Sequence, residues 1–392
     1  MTDVHIDGIV FDEVPGGGGG IARMWSNIIE RLPDYGCHVH LYLPPSALSA
    51  FKSRANFSIK SYPRCHSLRP GRIFEPLTQA LYERQLGRMW RAIESGVFQS
   101  THFTTYPELR VPKVVTVYDL FHECLPDCFP EVHRNLFTRR RKDCIDDADA
   151  IVSISGATQK DVDTVYKRND IPRHVIQCAV SREFQKLAPV EMARQDTMPI
   201  LNERPFILYV GSRFPYKNFA GLLAGFACWE RRDEFNLVVV REPFTDYEIW
   251  LSHYDFAMMR AFGITDRVKF AGRLTDEQLI VAYNRASAVV VPSLCEGFGL
   301  PIWEAMACGA PVVASRSGAM PEVGQEFPEY FDFGSPQLLA NAIDNAVKIP
   351  KDSDRLKRGI AHATAFTWDQ AAEQYAAIYK QMAVSDVRRN RI

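Results

Sequence analysis

Residues 293–315 read Ser-Leu-Cys-Glu-Gly-Phe-Gly-Leu-Pro-Ile-Trp-Glu-Ala-Met-Ala-Cys-Gly-Ala-Pro-Val-Val-Ala-Ser. Two acids, Glu296 and Glu304, bracket a glycine-punctuated turn in one of the most apolar neighbourhoods of the chain. Glutamate is rarely fully buried without a partner. The preceding apolar run predicts a strand at 287–291. Pro301 suits the first turn of a helix over 301–308, and Gly309 suits its stop. A further strand is expected at 311–314. Glu296 then falls in the loop, and Glu304 in the first helical turn, where a negative charge is favoured. Free N–H groups around Gly297 to Leu300 face outward from the sheet and suit phosphate. Carboxylates accept hydrogen bonds from sugar hydroxyls. Phosphate beside N–H groups and hydroxyls beside carboxylates together point to a nucleotide sugar. A capped helix with two incidental acids is the other reading of these residues alone.

Outward from this stretch the same rhythm recurs. Strands are expected at 4–10, 37–43, 97–102, 112–117, 149–154 and 173–178, with helices at 20–32, 75–94, 131–145 and 156–167. Val114–Val117 and Ala150–Ile154 are short and rich in β-branched residues, as strands buried on both faces are. Residues 186–204 lose the alternation, carry Pro189 and Pro199, and read as a linker. Strands resume at 205–211, 236–241 and 267–271. The helices of this half are expected at 217–231, 246–261, 275–285, 335–348 and 353–364, and a last amphipathic helix at 368–383. Strand–helix alternation in both halves predicts two doubly wound α/β domains with a ligand cleft between them.

Composition agrees. The chain has 392 residues, 46% hydrophobic and 24% charged, which fits a globular protein of two domains. A net charge of −1 gives no sign of nucleic acid as a partner. The segment 51–113 is an exception, with eleven Lys or Arg against four acids. It is either a solvated face or a basic surface for an anionic lipid or phosphorylated acceptor. The first residues lack a signal-peptide pattern and no stretch approaches the roughly 20 apolar residues of a membrane span. The expectation is therefore a cytoplasmic protein, at most peripheral at the inner face of a membrane. Nine scattered cysteines fit free thiols in a reducing compartment. His122, Cys124, Cys128 and His133 lack a familiar zinc spacing, and loop packing is the favoured reading.

Two more loops follow strands. Gly16 to Gly20 precede a helix starting near Ile21, where a Cβ-free backbone can approach an anion closely. The run lacks the Gly-x-Gly-x-x-Gly pattern of dinucleotide sites, and its position after the first strand favours the anion reading over a flexible surface loop. Gly211-Ser-Arg213-Phe-Pro-Tyr-Lys217-Asn occupies the matching place in the second half, with a helix beginning near Lys217. Arginine grips phosphate oxygens in pairs and lysine acts as a point charge, so together they could neutralise a diphosphate. Solvated charges on a loop are the plainer reading.

The stretch from Glu296 to Glu304, with seven residues between the acids, resembles the retaining GT-B glycosyltransferases, a large family that includes bacterial mannosyl- and glucosyltransferases. The resemblance extends to Gly19–Arg23, Val114–Asp119, Ala148–Ser153, Gly211–Asn218, Val268–Arg273 and Phe366–Trp368. It implies an α/β chain of GT-B architecture: an acceptor-side Rossmann-like domain over 1–185, a linker over 186–204, a nucleotide-sugar domain over 205–367, and a C-terminal helix over 368–392 crossing back. It also implies roles. Glu296 would contact the transferred sugar and Glu304 the ribose. Arg213 and Lys217 would stabilise the leaving diphosphate. The backbone of Phe298, Gly299 and Leu300 would cradle sugar and phosphate. Arg273 and Leu274 lie where the base is read, and Gly19 and Gly20 would close over the phosphate.

The chain departs from the family at three places. Tyr118-Asp119 replaces the usual His-Asp, and tyrosine does not carry a proton near neutral pH. Cys178-Ala-Val-Ser181 replaces Asn-Gly-Val-Asp, and Arg241-Glu242 follows a strand that often ends in glycine. Tyr118 and Asp119 are kept among the catalytic candidates. The expected reaction is retaining transfer of a hexose, mannose before others, from a GDP- or UDP-linked donor to a glycan or polyprenyl-linked acceptor, in the synthesis of a bacterial surface polysaccharide. No metal and no cofactor are expected. The alternatives are a catalytically silent nucleotide-sugar-binding partner, or an epimerase or phosphorylase of similar architecture.

Overall fold

The computed structural model describes residues 1–13, 19–62, 84–188, 190–192, 198–240 and 246–389. Two parallel sheets organise them. The first contains β1 (Thr2–Asp7), β2 (Cys37–Leu43), β3 (Phe57–Ser61), β4 (Val97–Ser100), β5 (Lys113–Val117), β6 (Ala150–Ser153) and β7 (Arg173–Val175). Its strand order is β3-β2-β1-β4-β5-β6-β7. The second contains β8 (Phe206–Val210), β9 (Asn236–Val240), β10 (Val268–Gly272), β11 (Ala288–Val291), β12 (Val312–Ser315) and β13 (Glu329–Phe331). Its order is β10-β9-β8-β11-β12-β13. This is the expected α/β architecture of two doubly wound layers.

The central strands are buried on both faces, as their unbroken β-branched runs require. Every residue of β5 after Lys113, and every residue of β6, β9, β11 and β12, is buried. Helices cover these faces. Gly20–Arg31 places Met24, Trp25, Ile28 and Ile29 against the first sheet. The helix Trp368–Arg389 crosses back to this layer. Tyr375 packs on Trp25 and shares a hydrogen bond with Thr116, and the Tyr379 hydroxyl donates to Gln99 at 2.9 Å. Among the described residues no helix is long and apolar enough to cross a membrane.

Several boundaries differ from the sequence reading. β1 ends at Asp7, because Gly8 starts a turn that leads into a short helix at Val10–Glu13. β3 and β13 are edge strands that the pattern did not predict. Of the helix expected over 75–94, residues 84–91 are helical, 92–94 leave the helix in a turn, and 75–83 lie outside the described residues. The helix expected from Lys217 begins at Phe219, because Pro215–Lys217 forms a tight 3-10 turn and Asn218 is left-handed at φ 53°.

Candidate active site

Each sheet reverses its winding once, between β1 and β4 in the first and between β8 and β11 in the second. Ligands of open parallel sheets bind beyond the carboxyl ends of the strands at such a point. The loops leaving β8 and β11 are therefore neighbours, and hydrogen bonds lace them together. Leu294 N donates to Tyr216 O at 2.7 Å, and the Asn218 amide donates to Pro292 O at 3.0 Å.

Lys217 and Glu296 meet across this lacing. The Lys217 ammonium donates to Glu296 Oε1 at 2.7 Å, and the Ser293 hydroxyl donates to the same oxygen at 2.5 Å. Glu296 is only 7% exposed. Its carbonyl accepts from Ala319 N at 3.0 Å. Gly318, at φ 56°, lies so close that a Cβ there would stand 2.8 Å from Glu296 N. A lysine paired with a buried carboxylate that is held from three directions is a preset charge, fixed before any ligand arrives.

Glu304 is placed otherwise. Gly299, at φ 90°, caps a helix that runs Leu300–Ala307. Glu304 is thus in its second turn, which corrects the first-turn expectation. The benefit of the helix dipole fades within the first turn. Burial holds the Glu304 carboxyl above its ordinary pKa, against the nearby Arg23 guanidinium. Its Oε1 accepts from Arg23 Nη1 at 2.7 Å and its Oε2 from the Tyr283 hydroxyl at 2.9 Å. Arg23 also reaches Asp276 at 2.5 Å and lies over the Phe184 ring. Arg23 sits on the helix Gly20–Arg31 of the first sheet, so this ion pair bridges the two layers.

The other expected residues divide into two groups. Gly20 faces the start of the Glu304 helix, since a Cβ on it would stand 3.3 Å from the Leu300 side chain. Gly19 occupies the N-cap position before it, and Gly16, Gly17 and Gly18 lie outside the described residues. Phe298 is buried edge-on against Trp303. Arg273 and Leu274 follow β10 directly, ahead of a helix over Asp276–Arg285 whose N-terminus carries a Thr275–Gln278 capping box. Arg213 has different neighbours from Lys217. It lies over the Phe270 ring, with Nε 3.9 Å from Asp255 Oδ2. Burial pushes the Asp255 carboxyl up to about 6, opposed by Arg213.

Tyr118 and Asp119 look inward. The Tyr118 hydroxyl accepts from Trp25 Nε1 and donates to Thr101 O, both at 2.5 Å, and burial pushes its pKa well up. Both of its hydrogen-bond capacities are thus spent inside the first layer. Its backbone carbonyl forms the seam instead: a Cβ on Gly297 would stand 1.7 Å from Tyr118 O. Only glycine permits that approach. The Thr158 hydroxyl donates to Gly297 O at 3.2 Å across the same seam. Asp119 accepts from Arg141 at 3.3 Å and from Phe121 N at 3.4 Å, and burial raises its pKa against the pull of Arg141. His122 is packed between Phe129 and Phe137, and burial lowers its pKa to about 3.

Three features escaped the sequence reading. Arg23 reads from the sequence only as part of a motif, and its ion pair joins residues 281 positions apart. Tyr283 gives no local signal. Glu322 accepts from Gly156 N and Ala157 N at 2.9 and 3.0 Å, so one layer caps a helix of the other.

Residues 18–184 match the family described as Glycosyltransferase Family 4, and residues 194–363 match Glycosyl transferases group 1. The O-antigen chain mannosyltransferase B of Escherichia coli is 25% identical over 313 residues, spanning 76% of this chain and 78% of that protein. The sucrose-phosphate synthase structure from Thermosynechococcus elongatus superposes with a TM-score of 0.76 at 19% identity, over 98% of this chain and 100% of that one. Anabaena HepE in complex with UDP and glucose gives 0.69 at 16% identity, over 97% and 100%.

Proposed function

The chain belongs to the GT-B glycosyltransferases, and from that premise we propose that it transfers a hexose from a nucleotide diphosphate donor to a hydroxyl of a glycan or lipid-linked glycan, with the anomeric configuration retained. The Lys217–Glu296 pair at the β8/β11 switch point carries this reading. It sets an ammonium beside a carboxylate at the place where a leaving diphosphate and a sugar ring would meet. Donor binding would bring phosphate oxygens to Lys217, and Glu296 would then accept from sugar hydroxyls. Arg213 is the second cation for the diphosphate. Glu304 would accept from the ribose, the N–H groups of Phe298 to Leu300 would take phosphate, and Arg273 and Leu274 would edge the base.

In the proposed reaction the bond from the anomeric carbon to the phosphate oxygen breaks through an oxocarbenium-like state. The acceptor oxygen bonds to that carbon on the same face, and its proton passes to the departing phosphate. Catalysis then rests on positioning and on preset positive charge. No metal ion is needed for this scheme. Mannose is the first choice of sugar, with GDP before UDP. The Escherichia coli relative supports mannose, and the UDP and glucose of the Anabaena complex support the second choice. Synthesis of a surface polysaccharide is the proposed setting, with the basic residues of 51–113 as a peripheral contact to membrane.

A thermal-shift panel of UDP, GDP, dTDP and ADP tests the donor. A ligand at a hundred times its dissociation constant stabilises by roughly 2.7 kcal/mol. Labelled GDP-mannose and UDP-hexoses then test the transfer, with NMR of the product reading the anomeric configuration. An inverted product would overturn retention, and turnover abolished by chelator would overturn the metal-free scheme.

A further inference from the structure

At the opposite end of the first sheet, away from the cleft, three side chains converge for which the transfer reaction has no use. β1 and β2 are in parallel register, with Asp3 beside His38 and His5 beside His40. Alternate residues of a strand share a face. Asp3 and the His38-Val-His40 pair therefore project from one side of the sheet, while Val4 and Val39 fill the core on the other. Asp3 Oδ1 lies 3.1 Å from His38 Nδ1 and 3.0 Å from His40 Nε2. The three ligand atoms all lie within 4.8 Å of one another.

The surroundings fix this triad. His40 Nδ1 lies 2.8 Å from the Ser58 hydroxyl on β3, which fixes the rotation of the imidazole and turns Nε2 towards Asp3 Oδ1 at 3.0 Å. With Nε2 on a cation, Nδ1–H would donate to that hydroxyl. The His5 ring stacks on His40 at 4.7 Å and 12°, and holds its plane; His5 itself is engaged with Tyr42 and Ser95 O. Metal-ligating histidines characteristically give their second N–H to such a partner.

We propose that Asp3, His38 and His40 bind one divalent cation of the zinc class, which staples β1 to β2. Two imidazoles and a carboxylate are the ligands zinc prefers, at about 2.0–2.2 Å each. Tetrahedral bonds of that length set ligand atoms roughly 3.3 Å apart, close to the separations of Asp3 from each imidazole. The side chains of Asp3 and His38 are 43% and 39% exposed, which leaves the remaining position open to water.

The full chain, stripped with chelator and dialysed, is titrated with Co²⁺ and followed by visible absorption. Wild type is expected to take up one equivalent more than His38→Ala, with tetrahedral bands that Zn²⁺ displaces. Asp3→Asn, at an equally exposed position, should lose the same equivalent. Zn²⁺ should raise the melting temperature of wild type and leave that of His38→Ala unmoved. Equal uptake by wild type and both variants would overturn the site.

Discussion

Glu296 and Glu304 are eight residues apart and almost equally buried, at 7% and 6% exposure. Their counter-ions come from different places. Glu296 is neutralised within its own layer by Lys217 and also accepts from the Ser293 hydroxyl, on loops that adjacent strands hold side by side. Among the described residues Glu304 finds only a neutral hydroxyl, that of Tyr283, in its own layer, and its guanidinium comes from across the cleft. The first charge keeps its partner if the domains separate, and the second loses it. One turn of sequence thus yields a fixed electrostatic element and one whose cost depends on closure.

The largest effect should come from the fixed element. Glu296→Ala removes the partner that orients Lys217, and turnover is expected to fall about 10²–10³-fold, while calorimetry finds nucleoside diphosphate bound as tightly as before. Glu304→Ala should behave in the opposite sense. Loss of a charged acceptor for the ribose is worth about 1.5–3 kcal/mol, or roughly 10–150-fold in nucleotide affinity. If both variants lose affinity alike, the contrast between the two carboxylates collapses.

Arg23→Ala tests the dependence on closure directly. The Arg23 side chain is 25% exposed, which sets its pair with Glu304 between a surface and a buried ion pair. About 2 kcal/mol of stability should be lost at neutral pH. The pH dependence has a definite sign. Burial makes the folded Glu304 hold its proton more tightly than the unfolded chain does. Such a group contributes stability below its unfolded pKa, and that contribution is lost as pH rises through the folded value. Without Arg23 the folded value rises further, since Asp276 and Tyr283, the other groups that act on the carboxyl, supply no positive charge. Denaturation curves of variant and wild type should therefore converge towards acid pH and diverge above it. A penalty that stays constant with pH would mean that Glu304 is not what Arg23 serves.

What was legible in the sequence follows the same divide. The Glu296 loop could be read because its devices are local: a β-branched strand, glycines, a proline at the helix start. β5, β6, β11 and β12 could be read because burial on both faces demands unbroken apolar runs. The edge strands β3 and β13 could not. Phe57-Ser-Ile-Lys-Ser carries too few apolar residues to announce itself, and pairing with β2 makes it a strand. The start at Phe219 was hidden by a left-handed Asn218, whose side chain is held by Pro292, 74 residues away. The partner of Glu304 lay further still, because nothing near Arg23 in the chain says which carboxylate it will meet.

Tyr118→Phe should have the smallest effect on catalysis, and it asks whether the cleft uses this residue through its side chain or its backbone. The hydroxyl is engaged with Trp25 and Thr101, so its removal should cost about 1 kcal/mol of stability. Turnover should stay near wild type, because what Tyr118 presents to the other layer is its carbonyl, packed against Gly297. A variant of unchanged melting temperature and sharply reduced turnover would show the reverse: the hydroxyl leaves its internal partners when donor binds. Tyr118 would then resemble Glu304, a group whose partner changes as the cleft fills. The carbonyl contact predicts otherwise, since the same backbone serves the seam whether residue 118 ends in a hydroxyl or a hydrogen.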